Sequence, residues 1–237
     1  MKIALASQPT LDDSIALNVN RIEKALASLR KKVDLVAFGE SYLQGFNSLK
    51  WNFERDRTVA VSVDSQPIKM AKKYSVAVSF GYYELCGEAI YSSYMFIGKN
   101  GEIVNNFRRV SKGWKEYDIT DEHYKEGDGF KTFTYMGKRI ALAVCGDLWY
   151  EENIEQINKE KFDFLLYPVY VTYNTEMWRT KLVSEYAEQA KKIPRPVFLV
   201  NSICDADNTR GGCYAFLNGK TVCEVPMGQD GYLLVRV

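Results

Sequence analysis

Three features of the sequence predict an α/β protein with its sheets covered by helices. Short apolar runs of strand length alternate with helical stripes, and turn signals join several of those runs into hairpins. No repeat, charged tail or low-complexity linker divides the 237 residues. A chain of this length can bury one substantial core, so a single domain over 1–237 is expected.

In chain order, Lys2–Ala6 reads as a strand, followed by a helix with Ile15, Val19, Ile22, Leu26 and Leu29 on one stripe. Val33–Phe38 is a short apolar run suited to a buried strand, and it stops at Gly39–Glu40–Ser41. A helix around Ile68–Tyr74 precedes a strand at Val76–Tyr82. Tyr94–Ile97 and Ile103–Phe107 then form a hairpin across Lys99–Asn100–Gly101. Phe130–Tyr135 and Arg139–Val144 form a second across Met136–Gly137, and Cys145–Gly146–Asp147 ends the apolar run. Phe164–Tyr167 is the next strand. A long helix from about Glu176 to Lys192, stopped by Pro194, leads to the strand Val197–Asn201. A last hairpin pairs Tyr214–Leu217 with Thr221–Val225 through Asn218–Gly219.

Lysine and arginine number 31 against 30 acids, a net charge of +1, so no broad field favours nucleic acid or an anionic membrane. A small molecule or another protein is the expected partner. The first residues are too briefly apolar for a signal peptide, and no apolar run reaches the roughly eighteen residues a membrane helix needs, so the cytoplasm is the expected location. Five cysteines without CxxC spacing, and a single histidine, argue against a disulfide framework or a metal site.

Two residues stand where an apolar strand ends. Cys145 before Gly146 can expose its sulfur while the next backbone N–H groups face a developing oxyanion, although a cysteine there is more often a small core residue. Glu40 can be a general base tuned by burial, or a solvated loop acid. Between them lies Arg108–Arg109–Val110–Ser111–Lys112–Gly113–Trp114–Lys115, able to present one cation toward the same edge. With no GxSxG elbow, P-loop or dinucleotide fingerprint, a Glu–cation–Cys arrangement is the remaining candidate. Trp149 and Tyr170 fall in loops near that edge and are candidate pocket walls.

These positions, in this order, resemble the nitrilase superfamily of carbon–nitrogen hydrolases. Phe38–Gly39–Glu40–Ser41–Tyr42–Leu43–Gln44–Gly45–Phe46 is similar to the family's glutamate block, with Gly39 for the usual proline. Ile140–Ala141–Leu142–Ala143–Val144–Cys145–Gly146–Asp147–Leu148–Trp149 closely resembles the nucleophile block. Gln8, Asn18, Trp178, Glu185–Tyr186–Ala187–Glu188, Asn201 and Gly211–Gly212–Cys213 add to the match, which spans nearly the whole chain.

The resemblance implies an α–β–β–α sandwich of two mixed sheets face to face with helices outside, and subunits paired as a homodimer. It implies Glu40 as base, Cys145 as nucleophile, a lysine between them, and no cofactor. An ungapped alignment sets Arg109 at the lysine position. Arginine cannot relay a proton, so Lys112 is the expected cation after a local bulge, with Arg109 second and Lys115 third. Glu122, in Asp121–Glu122–His123–Tyr124–Lys125–Glu126–Gly127, resembles the family's second glutamate and is assigned to substrate positioning, with Gly146, Arg109, Trp149 and Tyr170 beside it. The implied activity is hydrolysis of a small amide, ω-amide or N-carbamoyl compound through a cysteine thioester. The rival from another class is a catalytically weak nitrilase-like binding or scaffold protein, favoured by arginine at the lysine position.

Overall fold

Alternation of side chains along each strand explains the layering. Ile3, Leu5, Leu35 and Ala37 of one sheet share a core with Ile140, Leu142, Phe164 and Leu166 of another. Their sequence neighbours Ala4, Ala6, Val36 and Phe38 face the other way, onto Val19, Ile22, Leu26 and Ala71. On the far side, Ala141, Leu165, Tyr167 and Leu199 pack against Ile154, Ile157, Tyr186 and Ala187. Helix, sheet, sheet and helix therefore form four layers, as the family resemblance implies. Because the side-chain period is two, slipping a strand such as Leu35–Ala37 by one residue would exchange its two faces. Each fully buried Leu or Ile contributes roughly 1.5–3 kcal/mol.

The computed structural model describes residues 1–62 and 65–237. In order the elements are β1 (Lys2–Ser7), α1 (Ile15–Leu29), β2 (Leu35–Ala37), α2 (Phe53–Asp56), α3 (Ser65–Tyr74), β3 (Ala77–Cys86), β4 (Ala89–Ile97) and β5 (Ile103–Arg108). Then follow β6 (Phe133–Tyr135), β7 (Lys138–Leu142), α4 (Glu151–Lys159), β8 (Phe164–Val169), α5 (Thr175–Met177), α6 (Val183–Ala190) and β9 (Val197–Asn201). The last are β10 (Ile203–Cys204), β11 (Thr209–Arg210), β12 (Cys213–Leu217), β13 (Lys220–Val225) and β14 (Gly231–Arg236).

The first sheet has the order β14-β1-β2-β3-β4-β5 and the second β13-β12-β9-β8-β7-β6; β10 and β11 form a separate pair. In each six-stranded sheet three central strands run parallel, β1-β2-β3 and β7-β8-β9, and the outer pairings are antiparallel. Parallel strands buried on both faces need continuous apolar runs, which is why Val33–Phe38, Arg139–Val144 and Phe164–Tyr167 read so clearly in the sequence.

The hairpins form where expected, and β3 and β4 make a further one, in register from Val78–Ile97 to Cys86–Ala89. The long helix expected from Glu176 to Lys192 is broken: α5 passes into a π-helical stretch, Trp178–Leu182, before α6. The wider turn keeps Trp178, Leu182 and Tyr186, spaced by four, buried against the second sheet. No helix among the described residues is long and apolar enough to cross a membrane.

Candidate active site

Glu40 follows the C-terminal end of β2 and is 1% exposed. The chain must squeeze through here. A Cβ at Gly39 would lie 2.4 Å from Ser202 Oγ and 3.0 Å from Ser202 N, so a larger residue here would force Ser202 to shift. The Glu40 N–H donates to Val169 O at 3.4 Å, tying the glutamate to the end of β8 in the other sheet.

Arg109 comes directly after β5. Alternation sends Arg108 outward to a bidentate pair with Glu84 (2.9 and 2.7 Å) and Arg109 inward, where it is 3% exposed. Arg109 Nη1 donates to Glu40 Oε1 at 2.8 Å, and Nε donates to Ser111 Oγ at 2.8 Å. Ser92 Oγ also donates to Glu40 Oε1, at 3.3 Å. Glu40 Oε2 is buried and has no hydrogen-bond partner, which leaves it the acceptor available to a proton.

Cys145 opens a 3₁₀ turn, Cys145–Trp149, with φ of 45°. A positive φ at a residue with a Cβ is sparsely populated and costs on the order of 1–3 kcal/mol. Asp147 holds the turn: its Oδ2 accepts from Val144 N at 2.8 Å and its Oδ1 from Val110 N at 3.1 Å and Ser111 N at 2.6 Å. Tyr167 OH donates to Cys145 O at 2.6 Å. A Cβ at Gly146 would meet Arg109 Nη2 at 2.6 Å and Ser111 Oγ at 2.8 Å, so any larger residue there would displace the Arg109 and Ser111 side chains.

The electrostatics follow from burial. Desolvation pushes the Cys145 thiol up to about 12, the Glu40 charge adds to this, and Arg109 opposes it. At neutral pH the sulfur is therefore a protonated thiol beside a carboxylate and not a standing thiolate. Burial also disfavours the Arg109 charge, but Glu40, Cys145 and Asp147 outweigh that and hold the guanidinium above its ordinary range. Burial raises the Asp147 carboxyl, against the pull of Arg109 and of its N–H donors.

The expected residues do not all meet. Glu40, Arg109, Cys145 and Gly146 converge, whereas Lys112 is exposed, and among the described residues no hydrogen bond or ion pair ties its ammonium to Glu40 or Cys145. The bulge that was to bring Lys112 inward is absent because Asp147 binds the N–H groups of both Val110 and Ser111, which turns Ser111 in and Lys112 out. Lys115 is committed elsewhere, donating to Tyr124 O and pairing with Glu126 at 2.8 Å. Glu122 is exposed on its loop and is not among the groups around Cys145. Ser111 was overlooked in the sequence, although a period of two from Arg109 places it on the same side.

A cleft of about 500 Å³ opens from Cys145 and Gly146, walled by Trp149, Tyr170, Tyr173 and Tyr186. Tyr170 stacks on Phe46 at 4.3 Å, and Trp149 meets Tyr186 edge-on at 5.1 Å. Among the described residues no cluster of His, Cys, Asp and Glu could hold a metal ion.

Asp147→Ala strands three backbone N–H groups, so the expected loss of stability is about 3–4 kcal/mol, near 10 °C in Tm for a chain of this size. Asp147→Asn, which keeps an oxygen for Val110 and Ser111, should lose less than half of that. Urea and thermal unfolding of the two variants check this; equal losses would mean that the acceptor geometry is not what matters.

The profile of the carbon–nitrogen hydrolase family matches residues 2–236. An (R)-stereoselective amidase from Pseudomonas sp is 26% identical over 148 residues, covering 62% of this chain and 52% of the relative. A citrullinase from Francisella tularensis is 25% identical over 181 residues, covering 71% and 60%. The chain thus spans about half to three-fifths of the length of these relatives. Among solved structures, an amidase from Nesterenkonia sp. superposes with a TM-score of 0.80 at 16% identity, over 99% of this chain and 89% of that one. A mutant of the Nesterenkonia sp. AN1 amidase, with acrylamide added at its active-site cysteine, superposes with a TM-score of 0.81 at 15% identity over 100% and 93%. These structural likenesses establish the shared sandwich, and with the family profile running nearly end to end, this chain belongs to the carbon–nitrogen hydrolase family.

Proposed function

We propose that the protein hydrolyses a small amide or N-carbamoyl compound through a thioester on Cys145, with Glu40 as base and Arg109 as the stabilising cation. The observation that carries this reading is the buried meeting of the three groups: Arg109 Nη1 is 2.8 Å from Glu40 Oε1, Glu40 Oε2 is left unpaired, and the Cys145 thiol, which donates to Tyr170 O at 3.9 Å, feels the charges of both Glu40 and Arg109.

Glu40 Oε2 takes the thiol proton as the sulfur attacks the carbonyl carbon, so no free thiolate has to persist in a buried site. Negative charge moves to the carbonyl oxygen. Arg109 Nη2, close against Gly146, and the backbone N–H groups of the Cys145–Trp149 turn are placed to receive it. The C–N bond then breaks, and protonated Glu40 returns the proton to the departing nitrogen. Water, deprotonated by Glu40, attacks the thioester and releases the carboxylic acid and the thiol. Each proton goes out and back through one carboxylate, which suits a cation that never titrates. The substrates named for the curated relatives, amides and citrulline, are within this chemistry.

The test is ammonia or amine release from a panel of primary amides, ω-amides and N-carbamoyl compounds, with quenched enzyme examined by mass spectrometry for an acyl group on Cys145. Turnover with an acyl adduct that hydroxylamine removes is the expected result. No release from any compound, together with a Cys145 inert to iodoacetamide in the folded protein, would overturn the enzyme reading in favour of a binding or scaffold protein.

A further inference from the structure

Charge in the cleft above Cys145 is one-sided. Its walls are the aromatic rings of Trp149, Tyr170, Tyr173 and Tyr186, and among the described residues the one lining side chain that carries a full charge is Glu185, on α6. The charges beneath the floor cancel, because Glu40 and Arg109 are paired at 2.8 Å. Glu185 itself is weakly engaged. Its partner is Lys181, one turn earlier at 3.6 Å, and the two side chains are 45% and 71% exposed. A long, solvent-screened pair of this kind holds its members loosely, so the carboxylate can take another cation without giving up a strong interaction.

Ring faces carry negative quadrupole density and attract cations, most strongly for tryptophan. Trp149 meets Tyr186 edge-on at 5.1 Å and Tyr173 is stacked against Trp178 at 6.2 Å, so each ring packs on a buried neighbour while it lines the cleft with Glu185. A substrate carboxylate entering the same cleft would find no lysine or arginine among the lining residues.

We infer that the cleft is a subsite for a cation: the substrate carries an amine or ammonium group remote from its scissile carbonyl, seated between Glu185 and the rings of Trp149 and Tyr173. This rests on the amide-hydrolase reading and narrows it to amides or N-carbamoyl compounds of small amines and amino-terminated chains.

The experiment needs no knowledge of the natural substrate. Three chloroacetamides of equal length, with tails ending in ammonium, hydroxyl or carboxylate, are reacted with wild type and Glu185→Gln, and the alkylation rate of Cys145 is read by peptide mass spectrometry. Displacement of chloride by the thiol sulfur, with the proton passing to Glu40, puts each tail in the cleft. The ammonium probe should label wild type about tenfold faster than the hydroxyl probe, the carboxylate probe should be slowest, and in Glu185→Gln the ratio of ammonium to hydroxyl should fall to within about twofold. Equal rates for the three probes in wild type, a fastest carboxylate probe, or an ammonium advantage that survives in Glu185→Gln each overturn the cationic subsite while leaving the hydrolase reading standing. If no probe labels Cys145 while the exposed Cys86 and Cys223 react, the hydrolase reading fails and the subsite with it.

Discussion

Cys145→Ala should abolish the proposed amide hydrolysis, with kcat expected to fall by at least about four orders of magnitude and the acyl adduct to disappear from the mass spectrum. The loss should be this large because every covalent step runs through one sulfur. Glu40 and Arg109 alone can orient a water only poorly, since the position next to the carbonyl is the one the sulfur occupies. The fold should survive, because Tyr167 bonds the backbone oxygen of residue 145 and Asp147 bonds the N–H of Val144, and neither contact uses the thiol. Cys145→Ser is expected to be nearly as inactive, as a hydroxyl is harder still for a carboxylate to deprotonate. Activity retained in Cys145→Ala with correct folding would remove the nucleophile from the proposal.

Arg109→Met should lower kcat by about a thousandfold, the scale of a lost charge-stabilising donor. It should also cost roughly 3–5 kcal/mol of stability, because it leaves Glu40 as a buried carboxylate without its partner. The second effect separates Arg109 from its neighbours. Lys112→Ala, which removes an exposed ammonium, should change stability by less than about 0.5 kcal/mol and activity by less than about twofold. Arg109→Lys keeps a charge near Glu40 but gives up the fork that spans Glu40 and Ser111, so its stability should stay near wild type while kcat falls by about tenfold to a hundredfold. Ser111→Ala should reproduce part of that kcat loss in the Arg109 background and add little in the Arg109→Lys background, which a purely structural serine would not do. Thermal unfolding and steady-state kinetics on the same preparations settle the assignment, and the reverse pattern, a dead Lys112→Ala and a live Arg109→Met, would return the cation to the surface loop.

The readings made from the sequence divide along a physical line. Local signals carried the strand ends: an apolar run that stops at Gly39–Glu40 or at Cys145–Gly146 announces a turn whatever lies around it, so Glu40 and Cys145 could be singled out, and the buried parallel strands announced themselves by unbroken hydrophobicity. The cation was not legible in this way. Whether Arg109, Lys112 or Lys115 points inward depends on how the loop after β5 is held, and that is decided by Asp147, 36 residues beyond Ser111, which captures the N–H groups of Val110 and Ser111 and turns Lys112 to solvent. Glu122 lay beyond reach for the same reason, its loop being placed by contacts from other elements and not by its own pattern. Glu185 stood out in the sequence only as part of the matching segment Glu185–Tyr186–Ala187–Glu188; its place beside Trp149 in one cleft was set by the π-helical stretch and the turn after β7. The sequence by itself determined the strands and helices and the two strand ends that carry Glu40 and Cys145, because these follow from hydrophobic runs and strand termination, while the four layers and the roles of the two residues came from the family resemblance. Only the tertiary structure decided which cation is buried and what charge faces the substrate, because both are set by hydrogen bonds and packing between residues far apart in the chain.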